Sequence, residues 1–246
     1  MENQINKKIR IGEAAKLLGV SVKTLRNWEK SGKLKALRTD GGQRYYDEEV
    51  LKRYSLDFET LGLAWTSSEQ VPALSEEHYC ERQDRFTSRL TKMSSVLLQS
   101  LGQESEELVS LVTLIAGEIG DNSFAHNIGN WPDMPGIFYA YDTEKRLIVL
   151  ADRGRGVRAT LKNARPNIAS DEEALRIAFT EIVSGRAPEQ RGNGLKVVRQ
   201  VAEKNDTIGL EFQSGLALAE IPKVSGHLKI KMTNKNIRGT YTIIRF

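Results

Sequence analysis

The chain has 246 residues, 39% hydrophobic and 28% charged, which suits two small globular domains and excludes a disordered polymer. One cysteine, Cys80, and three scattered histidines, His78, His126 and His227, exclude an internal disulfide and a zinc site built from Cys and His. The net charge of +4 hides an asymmetry: residues 1–54 carry 13 Lys+Arg against 7 Asp+Glu, a net +6, whereas the rest carries a net −2. Positive charge gathered in the first fifth of the chain suits a polyanionic partner, because neutralised phosphates release condensed counterions.

In chain order, Ile9 to Leu18 reads as a short helix start, Gly19-Val20-Ser21 as a turn with an N-cap serine, and Val22 to Lys30 as a second helix. Val22, Leu25 and Trp28 share its inner face, while Lys23, Thr24, Arg26 and Asn27 point outward. Lys35 to Tyr46 has two extended flanks around Asp40-Gly41-Gly42, a β-hairpin wing, and Asp47 to Tyr54 closes with another helix. The runs Ile11-Gly12-Glu13-Ala14-Ala15-Lys16, Gly19 to Glu29 and Gly41-Gly42-Gln43-Arg44-Tyr45-Tyr46 resemble the winged helix-turn-helix of MerR-type regulators. They are most similar to the short form found in resolvase-type recombinases of mobile elements. The resemblance covers about 45 residues and implies that Lys23, Thr24, Arg26 and Asn27 enter the major groove of double-stranded DNA, with Arg38 and Arg44 on the flanking backbone. No serine-recombinase catalytic pattern is present downstream, and no Cys/His cluster for metal sensing.

Residues 55–81 hold six acidic residues and no Lys or Arg, and Trp65 to Pro72 breaks periodicity, so 57–81 reads as an acidic linker. Phe86, Leu90, Met93, Leu97 and Leu101 recur at three- and four-residue spacing, which predicts an amphipathic connecting helix over 82–103, either a dimer seam or a helix docked on the second domain. Beyond it the pattern predicts a helix from Glu104 to about His126, strands at 136–141 and 146–151, helices at 171–183 and 194–204, and strands at 207–213, 226–232 and 239–246. The expected fold class is α+β: a small winged helix-turn-helix domain over 1–56 and a two-layer α/β sandwich over 104–246.

Two glycine signatures stand out in the second part, Asp152-Arg153-Gly154-Arg155-Gly156 after a strand-like run and Arg191-Gly192-Asn193-Gly194-Leu195 before a helix-like run. No G-x-x-x-x-G-K-[ST] loop is present. A carboxylate such as Asp152 at a strand end can accept from an adenine amine. Gly154 and Gly156 let the backbone approach closely, and Gly192 and Gly194 offer amides to phosphates. Glu118 and Asn122, four apart, share one helix face, where they can present a base and an oxygen ligand for Mg²⁺.

The ordered set — Glu118/Asn122, the Asp152 signature, the Gly192/Gly194 signature and Gly239-Thr240 — resembles the GHKL ATP-binding (Bergerat-type) fold of gyrase, a heat-shock chaperone, histidine kinases and MutL. It implies ATP and Mg as cofactors, Asp152 and Thr240 at adenine, Asn122 on Mg²⁺, Glu118 as general base, and the residues between Gly156 and Gly192 as a lid. Arg186, Arg191 and Lys196 become phosphate contacts beside Leu195. Glu118 to Ser123 resembles gyrase-like members, and Asn122 to His126 the anti-sigma serine kinases. No histidine-kinase phosphoacceptor pattern surrounds His78. No lysine from a transducer domain is expected in cis, and Lys196-Val197 replaces the usual second Gly-Leu, so binding is better supported than hydrolysis and the chain is not assigned as an enzyme. The reading is an ATP-binding, sequence-specific DNA-binding regulator. Its alternatives are a protein-serine kinase, which needs a protein partner, and a slow ATPase switch acting on mobile-element or phage DNA. Half-site geometry predicts a homodimer. No apolar run approaches the ~20 residues of a membrane span and MENQINKKIR lacks a signal peptide's apolar core, so a cytoplasmic location without a membrane partner is expected.

Overall fold

A computed structural model describes residues 7–18, 21–32, 34–39, 41–48, 50–51, 57–72, 74–181 and 194–246. The N-terminal part contains β1 (Lys8–Arg10), α1 (Ile11–Leu17), α2 (Val22–Lys30), β2 (Leu37–Arg38) and β3 (Arg44–Asp47), with strands in the order β1-β3-β2. Ser21 caps α2 by accepting from the Thr24 amide at 3.0 Å. Ala14, Ala15, Leu18, Leu25, Leu34, Tyr46 and Leu51 are buried, and the two alanines allow α1 and α2 to cross closely. The wing forms as expected, with Leu37 opposite Tyr45 and Arg38 opposite Arg44. Gly42 takes φ +74°, a conformation strained for any residue with a Cβ. Pairing of β1 with β3 was not anticipated; it buries Ile9 while Lys8 and Arg10 stay exposed. Of the expected closing helix only 48, 50 and 51 are described after Asp47.

The acidic segment is no free linker. It carries α3 (Phe58–Ser67) and β4 (Tyr79–Cys80). Asp57 caps α3, accepting from the Thr60 amide at 3.1 Å. Phe58, Leu61 and Trp65, spaced three and four apart, bury one face, each contributing roughly 1.5–3 kcal/mol relative to exposure. A Cβ at Gly62 would stand 2.8 Å from Val149 Cγ1 and 3.0 Å from Tyr241 Cε2, so the helix backbone lies directly on the sheet. The acidic count concealed this apolar stripe, because the charges occupy the helix ends and the following turn. β4 then joins the sheet edge through Tyr79 opposite Phe138.

That sheet has seven antiparallel strands in the order β4-β5-β6-β10-β7-β8-β9. They are β5 (Ile137–Asp142), β6 (Leu147–Asp152), β7 (Gly209–Ser214), β8 (Ala217–Ile221), β9 (Lys229–Met232) and β10 (Thr240–Arg245). Its helices are α4 (Gln83–Leu101), α5 (Glu106–Asn127), the short α6 (Gly156–Leu161), α7 (Asp171–Thr180) and α8 (Gly194–Lys204). The architecture is α+β, as expected, with α3 adding a partial third layer. β8 escaped the sequence reading because its Ala-Leu-Ala-Glu-Ile composition lacks strand character, yet Gly215 at φ +60° closes a two-residue hairpin that aligns Ser214 with Ala217.

α4 docks on α5 rather than standing free. Phe86, Met93 and Leu97 are fully buried, and the Phe86 ring lies so close over Gly120 that any side chain there would collide with it. The segment Gln103–Asn127 is long and apolar enough to cross a membrane by length and composition alone. Its Val109, Val112, Ile115, Ala116 and Ile119 are instead buried in the helix-side core with Ile148 and Leu150.

β alternation sorts β6 between two cores. Ile148 and Leu150 join the α4/α5 core, whereas Leu147, Val149 and Ala151 join the core that contains α3. The C-terminal strand β10 inserts between β6 and β7, pairing Tyr241 with Ala151.

Candidate functional site

Asp152 ends β6 on the α5 side. It is 1% exposed and bonded by neutral donors: Ser123 Oγ at 2.8 Å and Thr240 Oγ1 at 2.5 Å to Oδ2, the Gly154 amide at 2.7 Å to Oδ1, and the Thr240 amide. Burial pushes its carboxyl pKa above the ordinary carboxylate value, against the downward pull of those hydrogen bonds. Thr240 arrives from the far end of the chain because β10 lies beside β6. Gly239, at φ +61°, lets the Asp152 carboxylate pass its backbone, where a Cβ would collide with Oδ1.

The glycine turn after Asp152 is pinned from both sides. Asn127, one helical turn beyond Ser123, donates to the Ser123 carbonyl at 2.7 Å and accepts from the Arg155 amide at 2.9 Å. A Cβ at Gly154 would strike the Asn127 carboxamide. Gly156 has φ +75°, and Ser214 Oγ accepts from the Val157 amide at 3.0 Å while donating to the Gly239 carbonyl at 2.9 Å. Ser123, Asn127 and Ser214 were missed in the sequence. Ser123 and Asn127 are four apart and share a helix face, the only local signal, and Ser214 had none.

Farther back along α5, Glu118 and Asn122 face the start of α8. A Cβ at Gly194 would stand 2.7 Å from Glu118 Oε2 and 2.9 Å from Asn122 Nδ2. The first turn of α8 therefore lies against both side chains, with Leu195 packed on the core and Lys196 half-buried. Arg186, Arg191 and Gly192 lie outside the described residues. Among the described residues no group of three or more His, Cys, Asp or Glu forms a metal cage. The donor set here, one carboxamide and one carboxylate, fits a Mg²⁺ that takes its remaining ligands from phosphates and water.

The structure thus gathers Asp152, Gly154, Gly156 and Thr240 at one end and Glu118, Asn122 and Gly194 at the other, joined by a single helix. A cavity of about 340 Å³ opens on Gly154, Gly156 and Gly239; neither Asp152 nor Glu118 lines it.

Arg153, inside the signature, turns to the opposite face. Fully buried, it donates to the carbonyls of Trp65, Ser68 and Glu69 at the end of α3, and its Nη2 lies 2.6 Å from Asp133 Oδ2, which also pairs with Arg238 at 2.7 Å. Partial burial opposes the Asp133 charge, but Arg153, the Met134 amide and Arg238 outweigh it and hold the carboxyl below its ordinary pKa.

In the N-terminal part, Lys23, Arg26 and Asn27 are exposed on α2, and Thr24 is half-buried with its hydroxyl 2.8 Å from Ser21 Oγ. The wing arginines converge on one carboxylate: Arg44 Nε lies 2.6 Å from Glu29 Oε2 and Arg38 Nη2 2.9 Å from Oε1. The Arg44 hydrogen bond, aided by Arg38, holds Glu29 below the ordinary carboxylate pKa. Both arginines thereby fasten the wing to α2.

Residues 10–46 match the model of the MerR family regulatory protein. Two nodulation proteins NolA, from Bradyrhizobium elkanii and Bradyrhizobium sp. (strain NC92), are each 53% identical over 45 residues. Those residues are 18% of this chain and 20% and 19% of the relatives, so the chain spans about a fifth of their length. Among solved structures, the 43K ATPase domain of Thermus thermophilus gyrase B, determined with an aminocoumarin, aligns with 53% of this chain and 32% of its own at 16% identity and a TM-score of 0.34.

Proposed function

We propose that this chain, whose residues 10–46 are a MerR-type segment, is an ATP-binding, sequence-specific DNA-binding protein, a cytoplasmic transcriptional regulator whose state is set by Mg·ATP. The observation that carries the nucleotide half is the use of one helix for both ends of the site. Ser123 of α5 bonds Asp152 beside Thr240, while Glu118 and Asn122, upstream on the same helix, meet Gly194. In this reading Asp152 and Thr240 recognise the base, with a bound adenine amine sharing or displacing a present donor to Asp152. Gly192, Gly194, Arg191 and Lys196 receive the phosphates, and Asn122 holds Mg²⁺, which would neutralise phosphate charge. For DNA, Lys23, Thr24, Arg26 and Asn27 meet base edges, and Arg38 and Arg44 use the N–H groups not given to Glu29 on the flanking phosphates. Two heads on two half-sites make the working form a homodimer.

ATP can set the DNA-bound state only if it binds one arrangement of the heads better than the other. Selection of genomic fragments by the full-length protein, with and without Mg·ATP, tests this: the recovered operators and their affinity are expected to change with nucleotide. Identical operator affinity in both conditions removes the coupling, and absence of ATP binding removes the nucleotide half. Glu118 beside Gly194 favours one second reading, phosphoryl transfer to a partner serine or slow hydrolysis, with Glu118 as base. Labelled phosphate left on ATP, with no transfer and no release, sinks it.

A further inference from the structure

The cavity beside the glycine turn, about 340 Å³, is walled by the loop before β5, the turn itself, the start of α7, the β7–β8 hairpin and the approach to β10. Four arginines line it, Arg153, Arg155, Arg158 and Arg238, against a single carboxylate, Asp171. Asp133, bound to Arg153 and Arg238 from behind, is the second carboxylate of the group. Four cations against two carboxylates leave these side chains a net +2. Arg155 makes no ion pair among the described residues. Arg158 gives Nη2 to the carbonyls of Ile168 and Ala169 and holds Asp171 only at 3.8 Å, while its Nε is buried without a hydrogen-bond partner. A buried guanidinium N–H without an acceptor is unfavourable, and a concentrated positive field beside it attracts an anion. The volume exceeds what a bare phosphate or carboxylate fills and lies in the range of small-molecule sites. Pro132 and Ile237 supply apolar wall.

We propose that this cavity binds a small organic molecule with a dianionic head, a phosphomonoester or a pair of carboxylates, held by Arg155, Arg158 and Arg238 with its body against Pro132 and Ile237. Guanidinium forks suit either head, since both accept two parallel hydrogen bonds. The site is distinct from the place assigned to nucleotide phosphates. Glu118, Asn122 and Gly194 do not line it. Asn127, which backs Gly154, lies nine residues along α5 from Glu118, roughly 13 Å at the helical rise. The cavity shares the Gly154–Gly156 turn with the base end, so its occupant touches the segment that carries Asp152. The proposal does not depend on the chain binding ATP.

Calorimetric titration of the full-length protein with phenyl phosphate, phthalate, inorganic phosphate and phenol tests it. Phenyl phosphate or phthalate is expected to bind at one site with Kd below about 1 mM, inorganic phosphate more weakly, and uncharged phenol not at all. The tighter of the first two identifies the head as phosphomonoester or dicarboxylate. Arg155→Gln and Arg158→Gln are each expected to weaken binding about tenfold or more, the loss of one charge-assisted contact. Arg158 also braces the loop before α7, so Arg155→Gln, at a half-buried side chain without an ion pair among the described residues and checked by circular dichroism, decides if Arg158→Gln misfolds. No binding up to about 10 mM, equal binding of phenol and phenyl phosphate, or an affinity untouched by Arg155→Gln overturns the proposal. Simple competition between phenyl phosphate and Mg·ATP also overturns it, by making the cavity part of the nucleotide site.

Discussion

Asp152 and Arg153 are neighbours in sequence and both buried, yet opposite in charge, in facing and in the partners they meet. One faces α5 and the other α3, because successive residues of a strand point to opposite sides of the sheet. Asp152 meets only neutral donors, and burial raises its pKa. Arg153 meets a carboxylate and three carbonyls. A carboxyl held by neutral donors remains available for a ligand, whereas a guanidinium with an ionic partner and helix-end carbonyls is committed to the fold. The α5 face is therefore the one we propose for the nucleotide, and the α3 face is the clamp that holds a helix to its back.

The sharpest way to break this contrast is to remove each charge in turn. Arg153→Met is expected to cost about 3–5 kcal/mol in urea unfolding, since it leaves carbonyls at the end of α3 orphaned and Asp133 with Arg238 alone. Asp152→Asn is expected to leave stability within about 1 kcal/mol, because the Ser123 and Thr240 hydroxyls can reorient to either amide atom. The same change is expected to weaken ATP binding by about tenfold to a hundredfold, the worth of one charged hydrogen bond, read by equilibrium dialysis. A stable Arg153→Met, or an Asp152→Asn that unfolds, would reverse the assignment of the faces. Gly62→Ala then probes how tightly α3 sits: its Cβ must push against Val149 and Tyr241, an overpacking cost of about 1–3 kcal/mol.

The smallest effects are pH slopes, and they run in opposite directions. His78 lies on the α3 face between Phe58 and Phe138, with ring centroids 5.0 and 6.0 Å away, and burial lowers its pKa below 6.5. The unfolded chain therefore binds the proton more readily, and stability is lost as pH falls from 6.5 towards the depressed folded value. His78→Phe is expected to flatten this arm in urea midpoints measured across that window. Asp152 works the other way: with its folded pKa raised above 3.8, its contribution is present below that value and lost as pH rises through the folded pKa. Asp152→Asn is expected to remove that decline.

Much of the candidate site was legible as a grouping because its residues fall in short, closely spaced motifs. Glu118 and Asn122 share a helix face by periodicity alone, and Gly154 and Gly156 announce a turn that a Cβ would block. What stayed hidden was made by distant segments. Ser214 reaches the turn only because β7 neighbours β10. Arg153 had no role assigned within the glycine signature, because its acceptors come from α3. The wing arginines read as contacts to the flanking DNA backbone, and nothing local shows that Glu29, nine residues before Arg38 and fifteen before Arg44, lies between them. The linker reading of 57–81 failed for a related reason. Acidic residues at helix ends dominate a composition count, while the Phe58, Leu61 and Trp65 stripe becomes meaningful only with a second sheet face to cover.

Short-range sequence set the local chemistry: a serine-capped second helix with a basic outer face, a wing turning at Gly42, and glycine turns placed beside an acid and a helix. These depend on periodicity, capping and backbone freedom, which act within a few residues. Long-range packing brought Thr240 to Asp152, set the start of α8 against Glu118 and Asn122, and turned Arg153 away from the candidate site to the opposite face. Those outcomes depend on strand order and on which face of the sheet each helix covers, and both are set by burying the whole chain's apolar surface at once.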